Sequence, residues 1–173
     1  MKFFKKRSVT LVICLILVIA STLLNTRIKL GAQCRELNES LYTVEGIAGK
    51  LEALHVEADA LAALAETNGL KADDLRQASA DLQDLLSQRS VNAGQLYRCY
   101  DALRAQMCAT AAQLSEKNVP GADTILARAQ DLQDAIASSD YNTEVHSFRQ
   151  RNGSLLTRFL ASLSGVSIPE EFA

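Results

Sequence analysis

The feature that most constrains this chain is an uncharged run from Ser8 to Thr26, whose centre, Val9–Leu24, is almost wholly apolar. A helix needs roughly 20 residues to cross a bilayer core, and this run supplies 19. Lys6, Arg7 and Arg27 bracket it, where long cationic side chains reach back to water. The expectation is one transmembrane helix with its juxtamembrane turn over residues 8–29, after a short basic N-terminus at 1–7. A cleaved signal peptide competes, with Val18-x-Ala20 as its site. The apolar run continues through Leu23-Leu24 with no polar stretch before that site, which favours a permanent anchor.

Charge separates the anchor from the rest. Lys2, Lys5, Lys6, Arg7, Arg27 and Lys29 lie in the first 32 residues without an acid. All 20 acids follow, from Glu36 onward, against 12 Lys and Arg, so the body carries a net charge of −8. An acidic body is a poor binder of phosphate backbones, and no nucleic-acid partner is expected. Four cations precede the span, while Arg27, Lys29 and Arg35 follow it. The positive-inside rule then places the N-terminus in the cytoplasm and the body outside.

The body, residues 30–153, reads as long helices. Cys34–Thr67 is expected to be one helix, with Leu37, Leu41, Val44, Ala48, Leu51, Leu54, Ala58, Leu61 and Leu64 at spacings of three and four. Within it, Gly46 and Gly49 would permit close helix contact, and Asn68-Gly69 supplies a left-handed end. Ala72–Gln88 follows, with Leu75, Ala78, Leu82 and Leu85 inward and Asp73-Asp74 in its first turn. Ser90 or Asn92 caps a third helix carrying Leu96, Tyr100, Leu103, Met107, Ala111 and Leu114. Asn118-Val119-Pro120-Gly121 breaks the chain before a fourth helix from Ala122, with Ile125, Ala129, Leu132 and Ile136. There the phase slips, and Tyr141, Val145 and Phe148 form a second stripe, which calls for a bend or a change of partner. The expected fold is all-α: an antiparallel up-down four-helix bundle behind one N-terminal transmembrane helix.

Residues 154–173 follow Asn152-Gly153 as a short amphipathic piece with Leu155, Leu156, Phe159, Leu160 and Leu163 on one face. The simpler account closes the end of the bundle core with that face. The other lays it in the lipid interface, flanked by Arg151 and Arg158.

Reactive groups are sparse in pattern. Glu52-x-x-His55 has the spacing of a di-metal bundle ligand pair, but His146 lacks a matching glutamate and no second pair exists. Ser, His and Asp occur with nothing in the spacing to place them together. No metal, cofactor or catalytic residue is expected. Cys99 and Cys108, nine residues apart on one helix, cannot pair. A long first helix would put Cys99 about 30 Å above Cys34, so no intramolecular disulfide is expected and Cys99 and Cys108 read as small buried hydrophobes.

The C-terminal region carries a resemblance. Asp140-Tyr141-Asn142-Thr143-Glu144-Val145 followed by Phe148 resembles the LemA family's Tyr-Asn-x-x-Val-x-x-[Tyr/Phe] motif. The Leu155–Phe159 piece, Gly165 and Pro169-Glu170-Glu171-Phe172 resemble that family's closing segment. Ser138-Ser139 and Phe148-Arg149 stand where the family has an Arg and a second Tyr-Asn, so the chain resembles a divergent member. The resemblance implies a bacterial membrane-anchored helical bundle without catalytic residues or cofactor, and a family view in which the short N-terminus lies outside. The leading expectation is a non-enzymatic scaffold or interaction module at the cell envelope, with the bilayer as partner through residues 8–26 and a protein partner or a second copy besides. A sensor that works through a membrane partner is the alternative, and a metalloenzyme using Glu52 and His55 comes behind it.

Overall fold

The computed structural model describes residues 2–88, 92–163, 165, 166 and 168–173, with side chains described outside 2–8 and Leu156. The basic side chains of Lys2, Lys5, Lys6 and Arg7, and that of Leu156, thus lie outside the described residues, as does Ser90. The chain is all-helical, with no strand among the described residues: α1 Lys2–Leu41, α2 Ile47–Thr67, α3 Asp73–Gln88, α4 Ala93–Glu116, α5 Ala122–Ala137, α6 Tyr141–Asn152 and α7 Leu155–Leu163.

The apolar run and the start of the body form one continuous helix. α1 has 40 residues, about 60 Å at 1.5 Å per residue. Its Val9–Leu41 part is long and apolar enough to cross a membrane, and none of its most apolar stretch is covered by the protein. A helix suits that stretch because every backbone group pairs internally, and Thr22 returns its hydroxyl to Val18 O at 2.8 Å.

The expected long helix Cys34–Thr67 is in fact two. α1 stops at Leu41 and α2 starts at Ile47. Val44, counted in the apolar stripe, is 90% exposed in the connecting turn. The glycines explain the break. A Cβ on Gly46 would collide with the carbonyls of Ser40 and Leu41, and one on Gly49 with that of Val44. They allow the backbone to fold back on itself, rather than allowing two helices to approach.

From Ile47 the sequence pattern and the core agree. Leu51, Leu54, Ala58 and Leu61 are fully buried on α2. α2 packs on α3, α4 and α5, and α4 packs on α3 and α5. Gly69, at φ 70°, ends α2 with Leu70 N–H donating to Ala65 O at 2.9 Å. Asn92 caps α4 by accepting from Gln95 N–H at 2.9 Å. Two inward faces are turned slightly from expectation: Ser79 and Leu86 are buried on α3 with Ala78 and Leu85 beside them, and Thr110 takes the place of Ala111 on α4.

The phase slip after Ile136 is a break with a change of partner. α5 ends at Ala137, α6 begins at Tyr141, α5 packs on α2 and α6 packs on α1. The two breaks face each other: Lys50 Nζ donates to Ala135 O at 2.9 Å, and Ser40 Oγ reaches Glu144 at 3.5 Å. Because α2 is shorter than the helix expected, α3 returns far enough for Asn92–Gln95 to line one cleft with Gly31–Asn38 of α1. The start of α4 therefore sits beside α1, and the expected offset of Cys99 above Cys34 does not hold. All four cysteines are free. Cys99 packs against the core, whereas Cys108 is exposed rather than buried.

Candidate functional site

The residues behind the family resemblance are shared between two apolar clusters and a turn. Val145 is fully buried in the main core, and Phe148 joins Leu30 and Ala161 in a second cluster, against which Cys34, Leu37, Val166 and Ile168 pack. Gly165, at φ 66°, turns the chain away from α7 ahead of the 168–173 segment, which has no regular secondary structure; that backbone geometry favours glycine.

α6 then grips that segment residue by residue. Tyr141 Oη donates to Glu170 O at 3.1 Å. The Asn142 amide is used twice on one residue: Nδ2 donates to Phe172 O at 2.9 Å, and Oδ1 accepts from Phe172 N–H at 2.7 Å. Arg149 Nε donates to Pro169 O at 3.2 Å, and its Nη1 meets Glu171 Oε1 at 3.2 Å. Phe172, 5% exposed, is the anchor. Its ring stands edge-on to Tyr97 at 5.2 Å and tilted to Tyr100 at 5.6 Å, a favourable aromatic geometry. The motif thus ties α6, α4 and the C-terminal segment together. Tyr97 was not marked by the sequence; Tyr100 was read only as part of the apolar stripe of its helix, and Arg149 only as a departure from the family motif. Burial pushes the Tyr141 phenol up to about 12, so it stays protonated and donating.

α7 lies against α1 at the foot of the body. Thr157 and Leu160 share a cleft with Asn25, Thr26, Lys29, Leu30 and Gln33 of α1. Ala161 is the buried contact. Leu155, Phe159 and Leu163 are 87%, 60% and 59% exposed, so this stripe does not close the bundle core. Small Ala161 meets the core, and the large side chains four residues apart point away from it. Leu160 is half-buried.

The structure does bring a serine, a histidine and an aspartate together, against the sequence expectation. Ser79 Oγ donates to Asp59 Oδ1 at 2.9 Å and lies 2.6 Å from His55 Nδ1. Arg76 Nη1 completes the group, 3.6 Å from Asp59. The hydroxyl has one proton, and with it on the carboxylate His55 Nδ1 becomes the donor. A nucleophilic serine needs that proton directed at the imidazole and an open face for substrate. Ser79 is 1% exposed between α2 and α3, which makes the cluster a polar link between the two helices. Glu52 is exposed, and among the described residues no group of three His, Cys, Asp or Glu is placed to hold a metal. Glu57 of α2 pairs with Arg128 of α5 at 3.3 Å.

Fold and site define the class: an all-helical protein with one N-terminal helix long and apolar enough to cross a membrane, and a C-terminal segment clamped beside it. Compared with known proteins, the chain matches no family model, no curated sequence and no solved structure.

Proposed function

We propose that this chain is a membrane-anchored helical bundle of the LemA type that acts by contact, as a scaffold or interaction module at a bacterial cell envelope. The observation that carries the reading is the bare stripe Leu155–Phe159–Leu163 on a helix packed against α1 just past the apolar run. Leu30, in the α7 cleft, lies four residues beyond Thr26, about 6 Å of helix rise. The headgroup layer is roughly 5–8 Å deep on each side. An amphipathic helix at that height, with Arg151 and Arg158 exposed beside it, suits a lipid interface. The body then has two holds on the bilayer, the span and α7, which fix its tilt and present α2–α5 to partners.

The family reading is supported by Tyr141, Asn142 and Phe172 meeting in one clamp, with Val145 in the main core, Phe148 in the second cluster and Gly165 at the turn before the clamped segment. An up-down order for α2–α5 is supported by Lys117 Nζ donating to Asn68 O at 3.0 Å, which joins the far ends of α2 and α4.

For orientation, four cations before the span against three after it favour a cytoplasmic N-terminus and an extracytoplasmic body. One observation favours the reverse: Asn152 and Thr157, next in sequence to the exposed Arg151 and Arg158, share a cleft with Lys29. Cys108 is exposed, while burial raises the pKa of Cys34 and Cys99, so Cys108 is the thiol to label in intact cells with an impermeant reagent. Labelling is expected; protection until the membrane is opened reverses the topology. Crosslinking in native membranes is expected to recover a protein neighbour, a second copy included, and recovery of none contradicts the scaffold role.

A further inference from the structure

The C-terminal segment is held as a bound peptide is held. Its backbone is read at three positions, Pro169 O, Glu170 O and both groups of Phe172. Two side chains give selectivity: Phe172 fills a slot walled by Tyr97 and Tyr100, and Glu171 meets Arg149. No regular secondary structure runs through the segment, so its order comes from these grips. Gly165 and Val166 stay tied to α7 through N–H bonds to Ser162 O and Ala161 O at 3.2 and 3.0 Å, so the residues after them are the part whose owner can change. The cleft also lies low on the body: Tyr141 and Glu170 line a space of about 630 Å³ shared with Gly31, Cys34 and Arg35 of α1. Copies held on one bilayer would present their clefts and segments at the same height.

We propose that the cleft of Tyr97, Tyr100, Tyr141, Asn142 and Arg149 is a peptide-recognition site for the 168–173 segment, and that neighbouring copies exchange these segments to form homo-oligomers. Exchange keeps the contacts of Pro169–Phe172 with the cleft and changes only the owner of the segment, as in domain swapping. The proposal deepens the scaffold reading and rests on it only for the shared membrane surface.

The first test needs no membrane. The probe is a labelled synthetic peptide of residues 165–173, added to the full-length chain in detergent. In the wild type the cleft is filled by a tethered segment at roughly millimolar effective concentration. Phe172→Ala empties the aromatic slot, and this variant is expected to bind the peptide saturably, about tenfold or more tighter than wild type does. Adding Asn142→Ala removes two hydrogen bonds and is expected to weaken binding about tenfold. A folded Phe172→Ala chain that binds no better than wild type overturns the site. Should that variant not fold, amide exchange on the wild type decides: residues 168–173 are expected to exchange well before α2, and exchange only on global unfolding overturns detachment. The second test mixes Phe172→Ala chains with Asn142→Ala chains in vesicles, each carrying one dye at Cys108. Energy transfer above that of either chain alone is expected. Peptide binding without transfer overturns the exchange, whereas failure of the chain to float with vesicles overturns the membrane reading instead.

Discussion

Around Leu54, α2 meets its neighbours through side chains with no exposed surface; around Asn142, α6 meets the C-terminal segment through hydrogen bonds to its backbone. The first region is a continuous Leu- and Ala-lined core shared by α2, α3, α4 and α5, which Leu41, Tyr141, Val145 and Phe172 join at one edge. The second is assembled from α1, α6, α7 and the 168–173 segment, with open clefts on both sides of α1. Apolar burial is non-directional but close-packed, so the core does not tolerate holes. The clamp adds a few directional contacts and one aromatic anchor at the edge of that core, so its release is expected to precede melting of the core. On the proposed reading, the α2–α5 core is the scaffold and the clamp is the part that changes partners.

Substitutions separate the two. Leu54→Ala leaves a hole in a fully buried site and is expected to cost about 3–5 kcal/mol, read as a drop in the midpoint of one cooperative transition. Phe172→Ala removes a comparable apolar volume but is expected to release the clamp locally. Amide protection should fall for residues 141–149, while the α2 amides change by less than about 1 kcal/mol. If Phe172→Ala lowers the global midpoint as far as Leu54→Ala does, the two regions are one cooperative unit and the contrast fails.

Alkaline pH sharpens the same contrast. An unfolded tyrosine ionises near 10.0, and Tyr141 in the folded chain near 12. Between those values unfolding releases a proton, so rising pH favours the open form. The contribution of Tyr141 is intact below pH 10 and is lost as pH climbs toward 12. Fluorescence or exchange probes at the clamp should respond in that window, and Tyr141→Phe should reduce the response to the part contributed by Tyr100, whose phenol burial also pushes up. The smallest effect belongs to Val44→Ser: with 90% of Val44 exposed, stability should move by no more than about 0.5 kcal/mol, although the sequence places it in the apolar stripe.

The all-helical fold and the core residues were legible because they rest on local signals. Asn68-Gly69, Asn92, Pro120 and the slip after Ile136 each mark a boundary that the structure keeps. The break at Tyr42–Gly46 was hidden because Val44 falls on the right spacing for a helix stripe while its side chain faces water. Only Gly46 and Gly49 signalled it, and a glycine also reads as a close-contact residue. Ser79 was missed because its partners, His55 and Asp59, lie on another helix, and pairings at that separation leave no local periodicity. The clamp stood half in view. Tyr141, Asn142 and Phe172 were marked by resemblance, but what they hold is set by how α6 and the segment meet in space.

The central claim, that α7 rests on the bilayer beside the span, has a direct reporter because the chain has no tryptophan. Phe159→Trp places a single indole on the exposed stripe. With the full chain in vesicles, that emission is expected to be blue-shifted and quenched most strongly by lipids brominated near the headgroup, with quenching lost when Leu155 and Leu163 are also changed to Ser. Emission typical of water and indifferent to brominated lipids would contradict the account.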